Sequence, residues 1–529
     1  MSETVIGEKG MVTAPHRAAS EAGSAVLAEG GNAAEAMIAM AATIAVAYPH
    51  MNGIGGDAFA IVAEPGRPPK AIDACGAAGS LATIGRYEKA GYHVVPTRGP
   101  DAALTVAGAV SGWSLLADAA SSLGGRLPRR ELLADAVRLA REGVAVSRSH
   151  ARLLAEKQAE FVGLKAFAAE FLPDGKPPEV GATLRQERLS DTLGQLAHAG
   201  FDDFYRGDIA AEIAADLDEA RTPVTRDDLR RHEARWREPL SVSIKGATLF
   251  NTPPPTQGAA SLIILALFDR LGVKRGDSFD HIHGLLEATR LAFQVRDHEI
   301  SDPAWGGDVA PYLGRAWLDA TAETIDRSRA GRSVAAPLDG DTVWMGAIDR
   351  SGVAVSFIQS LFHEFGSGVY LPRTGIVWQN RGSSFSLDRT ARNPLTPGRK
   401  PFHTLNPAFA RFADGRLMVY GSMGGDGQPQ FQAAVFTRAV NFGMDLGEAI
   451  AAPRWRAGRT WGAETTSVAL ENRFDPDLVL ALERAGHPVE VLPQAYSDGM
   501  GHAGALLRRG DGRVFGAADP RADGAAIGG

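Results

Sequence analysis

Two apolar runs joined by a four-residue turn constrain this chain more than anything else in it. Thr342 to Ile348 and Val353 to Ser360 read as strands, with turn chemistry from Asp349, Arg350, Ser351 and Gly352 between them. The residues before them, Arg327 to Asp341, are polar and carry Gly331, Pro337 and Gly340, the pattern of an exposed loop. A threonine therefore stands where a cuttable loop meets a buried hairpin. One reading is an ordinary strand-opening threonine; the other is chemical. A threonine hydroxyl is a weak nucleophile until a base takes its proton, and a free α-amino group on the same residue can be that base. The reference pKa of such an amine, about 7.7–8.0, leaves much of it neutral near pH 8. In mid-chain Thr342 has only an amide nitrogen, so this chemistry requires cleavage between Asp341 and Thr342.

The rest of the composition bounds the setting. The chain has 529 residues, 45% hydrophobic and 22% charged, enough for a substantial core and more than one domain. A net charge of −7 argues against nucleic acid or an anionic membrane as partner. Cys75 is the single cysteine, so no internal disulfide forms. Met1 to Gly10 has no apolar stretch and contains Glu3 and Glu8; no secretory signal is read, and a cytoplasmic location is expected. Ala33 to Ala47 is apolar but short and holds Glu35, which suits a buried helix better than a membrane span.

Along the chain, Ala18 to Glu29 predicts a helix stopped at Gly30-Gly31, and Asn32 caps a second to about Ala47. Gly53-x-Gly55-x-x-Ala58 looks like a dinucleotide fingerprint, but a helix precedes it and a strand follows, the reverse of what pyrophosphate binding needs. It is read as a tight backbone corner. Lys157 to Pro178 reads as irregular, Leu240 to Phe250 as one strand, and Thr252 to Gly258 as a rigid loop. Asp280 to Asp297 reads as a helix carrying His281, His283 and Glu287. The two histidines do not share a helix face, so they are read as solvated or capping residues and no metal site is assigned. Ala408–Phe412 with Leu417–Tyr420, and Gly504–Leu507 with Val514–Ala517, predict hairpins. Strand pairs and helices occupy separate stretches, which suits antiparallel sheets covered by helices, an α+β layering.

Several short motifs, weak singly, are specific in their order. They are Ala18-Ala-Ser-Glu-Ala-Gly23, Gly30-Gly-Asn-Ala-Ala-Glu-Ala36, Asn52-Gly-Ile-Gly-Gly56, Pro253-Pro-Pro-Thr-Gln-Gly258 and Asp302-Pro303. Asp341-Thr342 to Asp349, Phe365-Gly366, Gly421-Ser-Met-Gly-Gly425 and Asp519-Pro-Arg521 continue the series. Together they resemble the γ-glutamyltranspeptidase family of N-terminal-nucleophile hydrolases, over nearly the whole chain. The resemblance implies a four-layer αββα sandwich and self-cleavage before Thr342. It implies a large subunit, 1–341, and a small one, 342–529, that remain together as a heterodimer, or as a dimer of such pairs, and no cofactor or metal. It also implies acyl transfer: the Thr342 hydroxyl attacks an amide, its own amine takes the proton, and Gly424 and Gly425 stabilise the oxyanion. Ser360 matches a family threonine that bonds the nucleophile's amine.

The glutamyl pocket departs from the family. Cys75 stands where an arginine is expected, and cysteine cannot form the bidentate pair that arginine makes with a carboxylate. Phe362 replaces an asparagine, Ser384 an aspartate, and His403 and Thr404 two serines. Arg381 replaces a glutamine and brings a positive charge close to the nucleophile. This pattern is similar to a divergent branch of the family that includes oxamate-cleaving amidohydrolases. It implies a small acidic amide without an α-amino group as substrate. A γ-glutamyltransferase with a remodelled pocket and an acylase of the cephalosporin type are the alternatives. An internal ion pair with Glu364 is the competing reading of Arg381, and Arg98 is a lesser candidate for substrate contact.

Overall fold

The computed structural model describes residues 3–331, 341–458 and 467–529. The expected hairpin is the middle of a seven-stranded antiparallel sheet. Its spatial order is Ala525–Gly528, Gly10–Ala14, Asp341–Asp349, Ala354–Phe362, Asp57–Ala63, Lys70–Ala74 and Arg235–Arg237. Asp349 makes the turn as its chemistry suggests, its Oδ1 accepting from Ser351 N at 2.9 Å and Val353 N at 3.2 Å. A second antiparallel sheet runs Val5–Gly7, Val514–Ala518, Ala503–Arg508, Leu417–Ser422, Ala408–Phe412, Ala247–Asn251 and Leu240–Ile244.

The sheets pack face to face over a dry layer that includes Met11, Phe59, Ile61, Trp344, Ile358, Phe409, Val419 and Leu506. Trp344 is buried there with its indole N–H donating to Ser356 Oγ at 3.0 Å. The outer face of the first sheet is covered by Arg17–Ala28, Ala33–Ala47 and Ala109–Ser122, and that of the second by Gly258–Leu271, Phe279–Glu299 and Gly427–Phe436. This is the four-layer αββα sandwich. Asn32 caps its helix with a full capping box to Glu35, and all fifteen residues of that helix are buried. Among the described residues, no helix is long and apolar enough to cross a membrane.

Three sequence expectations are corrected. Leu240 to Phe250 is two strands, not one, because Gly246 turns the chain with φ +78°. Lys157 to Pro178 is largely helical, in Arg148–Phe161 and Lys165–Phe171, because Phe161, Phe167 and Phe171 gain a buried partner in Phe365. His281 and His283 are buried rather than solvated: His281 Nε2 lies 2.8 Å from Thr437 Oγ1 and His283 Nδ1 lies 2.8 Å from His487 Nε2. The loop expected from Arg327 to Asp341 lies mainly outside the described residues.

Candidate active site

The Asn52–Asp57 corner is built for close approach. An added Cβ on Gly55 would sit 2.2 Å from the Val377 carbonyl oxygen, and one on Gly56 would sit 2.1 Å from that of Ser360. The corner therefore presses on the strand that carries Ser360 and Phe362. Gln359 ties the two together, donating to Asn52 Oδ1 at 2.8 Å.

Thr342 is buried at the head of its strand. Asp341 pairs with Phe362 and Val343 with Gln359, so the register slips across Thr342. Ser360 Oγ accepts from Phe362 N at 2.8 Å. Phe362 is held at φ +82°, a costly position for a bulky residue, which marks a conformation imposed by its surroundings.

Arg381 follows Asn380, whose Oδ1 accepts from His363 N at 3.0 Å, so this short turn is fastened to the end of the same strand. The Arg381 guanidinium lies 3.4 Å from the centre of the Phe362 ring. Phe362 in turn pairs with Asp341 across the ladder, one residue before Thr342. Arg381 is 1% exposed, and its Nη1 donates to Thr404 Oγ1 at 3.2 Å. Its Nε and Nη2 have no hydrogen-bond partner among the described residues. Burial without a carboxylate against it lowers its pKa. The competing pairing is not observed: Glu364 is held by Lys157 at 2.7 Å and Arg98 at 3.5 Å. Arg98 is spent on Glu364 and on Glu160.

His403 is reached through the proline loop. Gln257 N donates to His403 O, and His403 N to Pro255 O, both at 2.9 Å. The His403 Nε2 lies 2.9 Å from Asp57 Oδ2, while its Nδ1 is buried without a partner among the described residues. Asp57 was missed by sequence reasoning. Its Oδ1 accepts from Gly76 N, Gly108 N and Gln379 Nε2, each at 3.0 Å. Burial outweighs these bonds and raises its pKa to about 7, while burial and the Arg381 charge keep His403 neutral. Ser384 is half-buried with its hydroxyl on the Phe402 carbonyl at 3.2 Å.

Gly424 and Gly425 turn the chain with φ +118° and +51° just before the helix Gly427–Phe436, whose N-terminus favours negative charge. Gln257 ties this loop to the segment that holds Thr404, its Nε2 donating to Gly425 O at 2.9 Å and to Thr404 O at 2.8 Å. Asp426 is anchored by a buried ion pair with Arg296 at 2.7 Å. Gln428, also missed, places Nε2 3.4 Å from Thr342 Oγ1. A separate cleft of about 540 Å³ is lined by Cys75, Val106, His232, Asp302 and Lys400 among others; Thr342 and Arg381 are not in its lining. Cys75 itself donates to Asp73, which Lys400 also holds, at 2.7 and 2.8 Å. Among the described residues no group of three or more His, Cys, Asp or Glu side chains is arranged to hold a metal ion.

The sequence profile of the Gamma-glutamyltranspeptidase family matches residues 19–529. The chain belongs to the γ-glutamyltranspeptidase family. It is 50% identical to the oxamate amidohydrolase proenzyme of Klebsiella pneumoniae, over the whole of both chains. It is 39% identical to the glutathione hydrolase-like YwrD proenzyme of Bacillus subtilis, again over the whole of both. Among solved structures, the cephalosporin acylase of Bacillus halodurans superposes with a TM-score of 0.90 at 32% identity, covering 100% of this chain and 97% of the other. Within the family, the chain is a self-processing amidohydrolase with the N-terminal-nucleophile fold.

Proposed function

We propose that the chain cuts itself between Asp341 and Thr342, into 1–341 and 342–529, and that the freed threonine hydrolyses a small acidic amide of the oxamate type. Arg381 carries this reading. A buried guanidinium with two nitrogens unpaired among the described residues, stacked on the residue that faces Asp341, is a seat prepared for a carboxylate. No buried carboxylate stands ready for an α-ammonium at Ser384, which argues against a γ-glutamyl group.

In the reaction, Thr342 Oγ attacks the amide carbon and its proton passes to the Thr342 α-amine. The C=O electrons move onto oxygen, where the Gly424 and Gly425 N–H groups receive the charge; one such donor is typically worth about 10²–10³ in rate. Ser360 orients the α-amine. The C–N bond then breaks, and the departing nitrogen takes the proton back from the ammonium. Water attacks the acyl-enzyme by the same route in reverse. Arg381 and Thr404 hold the substrate carboxylate throughout, Phe362 forms the floor beneath the guanidinium, and His403 closes the far side.

The likeness to a cephalosporin acylase favours a second reading, in which the acyl group is longer and ends in a carboxylate. A substrate panel separates these readings and the γ-glutamyl alternative. We expect processed enzyme to release ammonia from oxamate far faster than it cleaves a glutaryl amide or a γ-glutamyl anilide. Equal or faster turnover of either of the last two would overturn the oxamate reading.

The Asp57–His403 pair makes substrate affinity depend on pH. Above about pH 7, ionised Asp57 accepts from His403 Nε2, leaving the buried Nδ1 with a bare lone pair. Below it, protonated Asp57 donates to Nε2, and His403 turns Nδ1–H to the substrate anion. KM for the acidic amide is therefore expected to rise between pH 6 and pH 8. Asp57→Asn donates at every pH and should hold KM low and flat across that range. A KM that falls with pH in the wild type would contradict this account.

A further inference from the structure

Gln428 is fully buried in the first turn of the helix that follows the glycine pair. Its orientation follows from the groups around it. The Thr404 carbonyl can only accept, so the Asn406 atom facing it at 2.8 Å is the NH2 nitrogen. That same nitrogen lies 3.1 Å from Gln428 Oε1, which must therefore accept. The Gln428 NH2 is thus the end turned to Thr342 Oγ1, at 3.4 Å. A polarity that begins at a backbone carbonyl is carried through two buried amides to the hydroxyl oxygen. Gln428 N also donates to Gly425 O at 3.2 Å, which places its side chain within one helical turn of the Gly424–Gly425 pair.

We propose that Gln428 is a catalytic residue, a side-chain donor to the substrate-derived oxyanion of the adduct on Thr342, acting beside the two glycine N–H groups. The inference rests on Thr342 being the nucleophile. As the Oγ–C bond forms and the C=O pair moves onto oxygen, the proton of Oγ leaves for the α-amine. The adduct's two oxygens share one carbon, so an amide touching Oγ1 is placed to donate to the neighbouring oxygen as charge gathers there. When the C–N bond breaks and the carbonyl re-forms, the Gln428 N–H loses that bond. Its contribution therefore falls on the transition state and not on the bound substrate.

The test is Gln428→Met, which keeps length and loses the donor, assayed on the acidic amide with Thr342→Ala alongside. We expect kcat to fall about 10²-fold with KM changed less than about threefold. Gln428→Glu is the second variant. It keeps the acceptor for Asn406 and can donate only when protonated, so its activity relative to wild type should recover as pH falls. Wild-type kcat in Gln428→Met, a loss confined to KM, or a Gln428→Glu ratio that does not change with pH would each overturn the proposal. If Gln428→Met fails to fold, the pH response of Gln428→Glu decides. An active Thr342→Ala would instead bring down the assignment of the nucleophile.

Discussion

Thr342→Ala is expected to purify as one uncut chain with no measurable amidase activity. On the proposed mechanism the substitution removes the hydroxyl that attacks the substrate and, in the precursor, the Asp341 carbonyl. Removing a nucleophile from a hydrolase of this kind costs at least about 10⁴ in kcat, since only binding and oxyanion stabilisation remain. The side chain is small and buried at a strand head, so the fold should survive the loss of one hydroxyl. Thr342→Ser keeps the oxygen and should retain both processing and turnover at reduced rates. The readouts are a denaturing gel after long incubation and ammonia release. An alanine variant that still appears as two bands, or still turns over, would remove the basis of the mechanism.

Arg381→Ala should cost about 3–4 kcal/mol of binding to the acidic amide, or about 10²–10³-fold in kcat/KM, the loss typical when one partner of a desolvated charge pair is truncated. Turnover of a neutral diamide of the same size should be unchanged or higher. Stability separates this role from a structural one. A guanidinium buried with two unsatisfied donors burdens the empty fold, so its removal should leave the melting temperature level or raised. A structural arginine would show the opposite. Arg381→Lys keeps the charge but not the fork and should recover only part of the activity. Unchanged activity on acidic amides in Arg381→Ala would end the carboxylate-pocket reading.

Much of this was legible before any coordinates. The Thr342–Ser360 hairpin declared itself because strand propensity and Asx-turn chemistry agree there, and the Asn32 cap did so for the same reason. Arg381 stood out as a charge where the family pattern is neutral. The hairpin over 240–251 was hidden because Lys245-Gly246 is too brief a break in an otherwise continuous apolar run. The helices over 157–171 were hidden by Gly163, Pro173 and Gly175, and are held by aromatic contacts to Phe365, some two hundred residues away. Asp57 and Gln428 had no local signature at all. Asp57 becomes significant only when Gly76, Gly108, Gln379 and His403 converge on it, and Gln428 only when Asn406 dictates which end of its amide meets Thr342.

Each sheet interleaves strands drawn from both sides of residue 342. A backbone scission there alters connectivity without altering the weave. The strand from Thr342 onward stays clasped along Ala354–Phe362 by Val343 to Ile348, so the terminus created is not a loose tail. On the proposed cleavage it would be an amine delivered to a fixed address, with its freedom already surrendered during folding of the precursor. The proposed scission would thereby give the enzyme a chain end as well placed as any interior side chain.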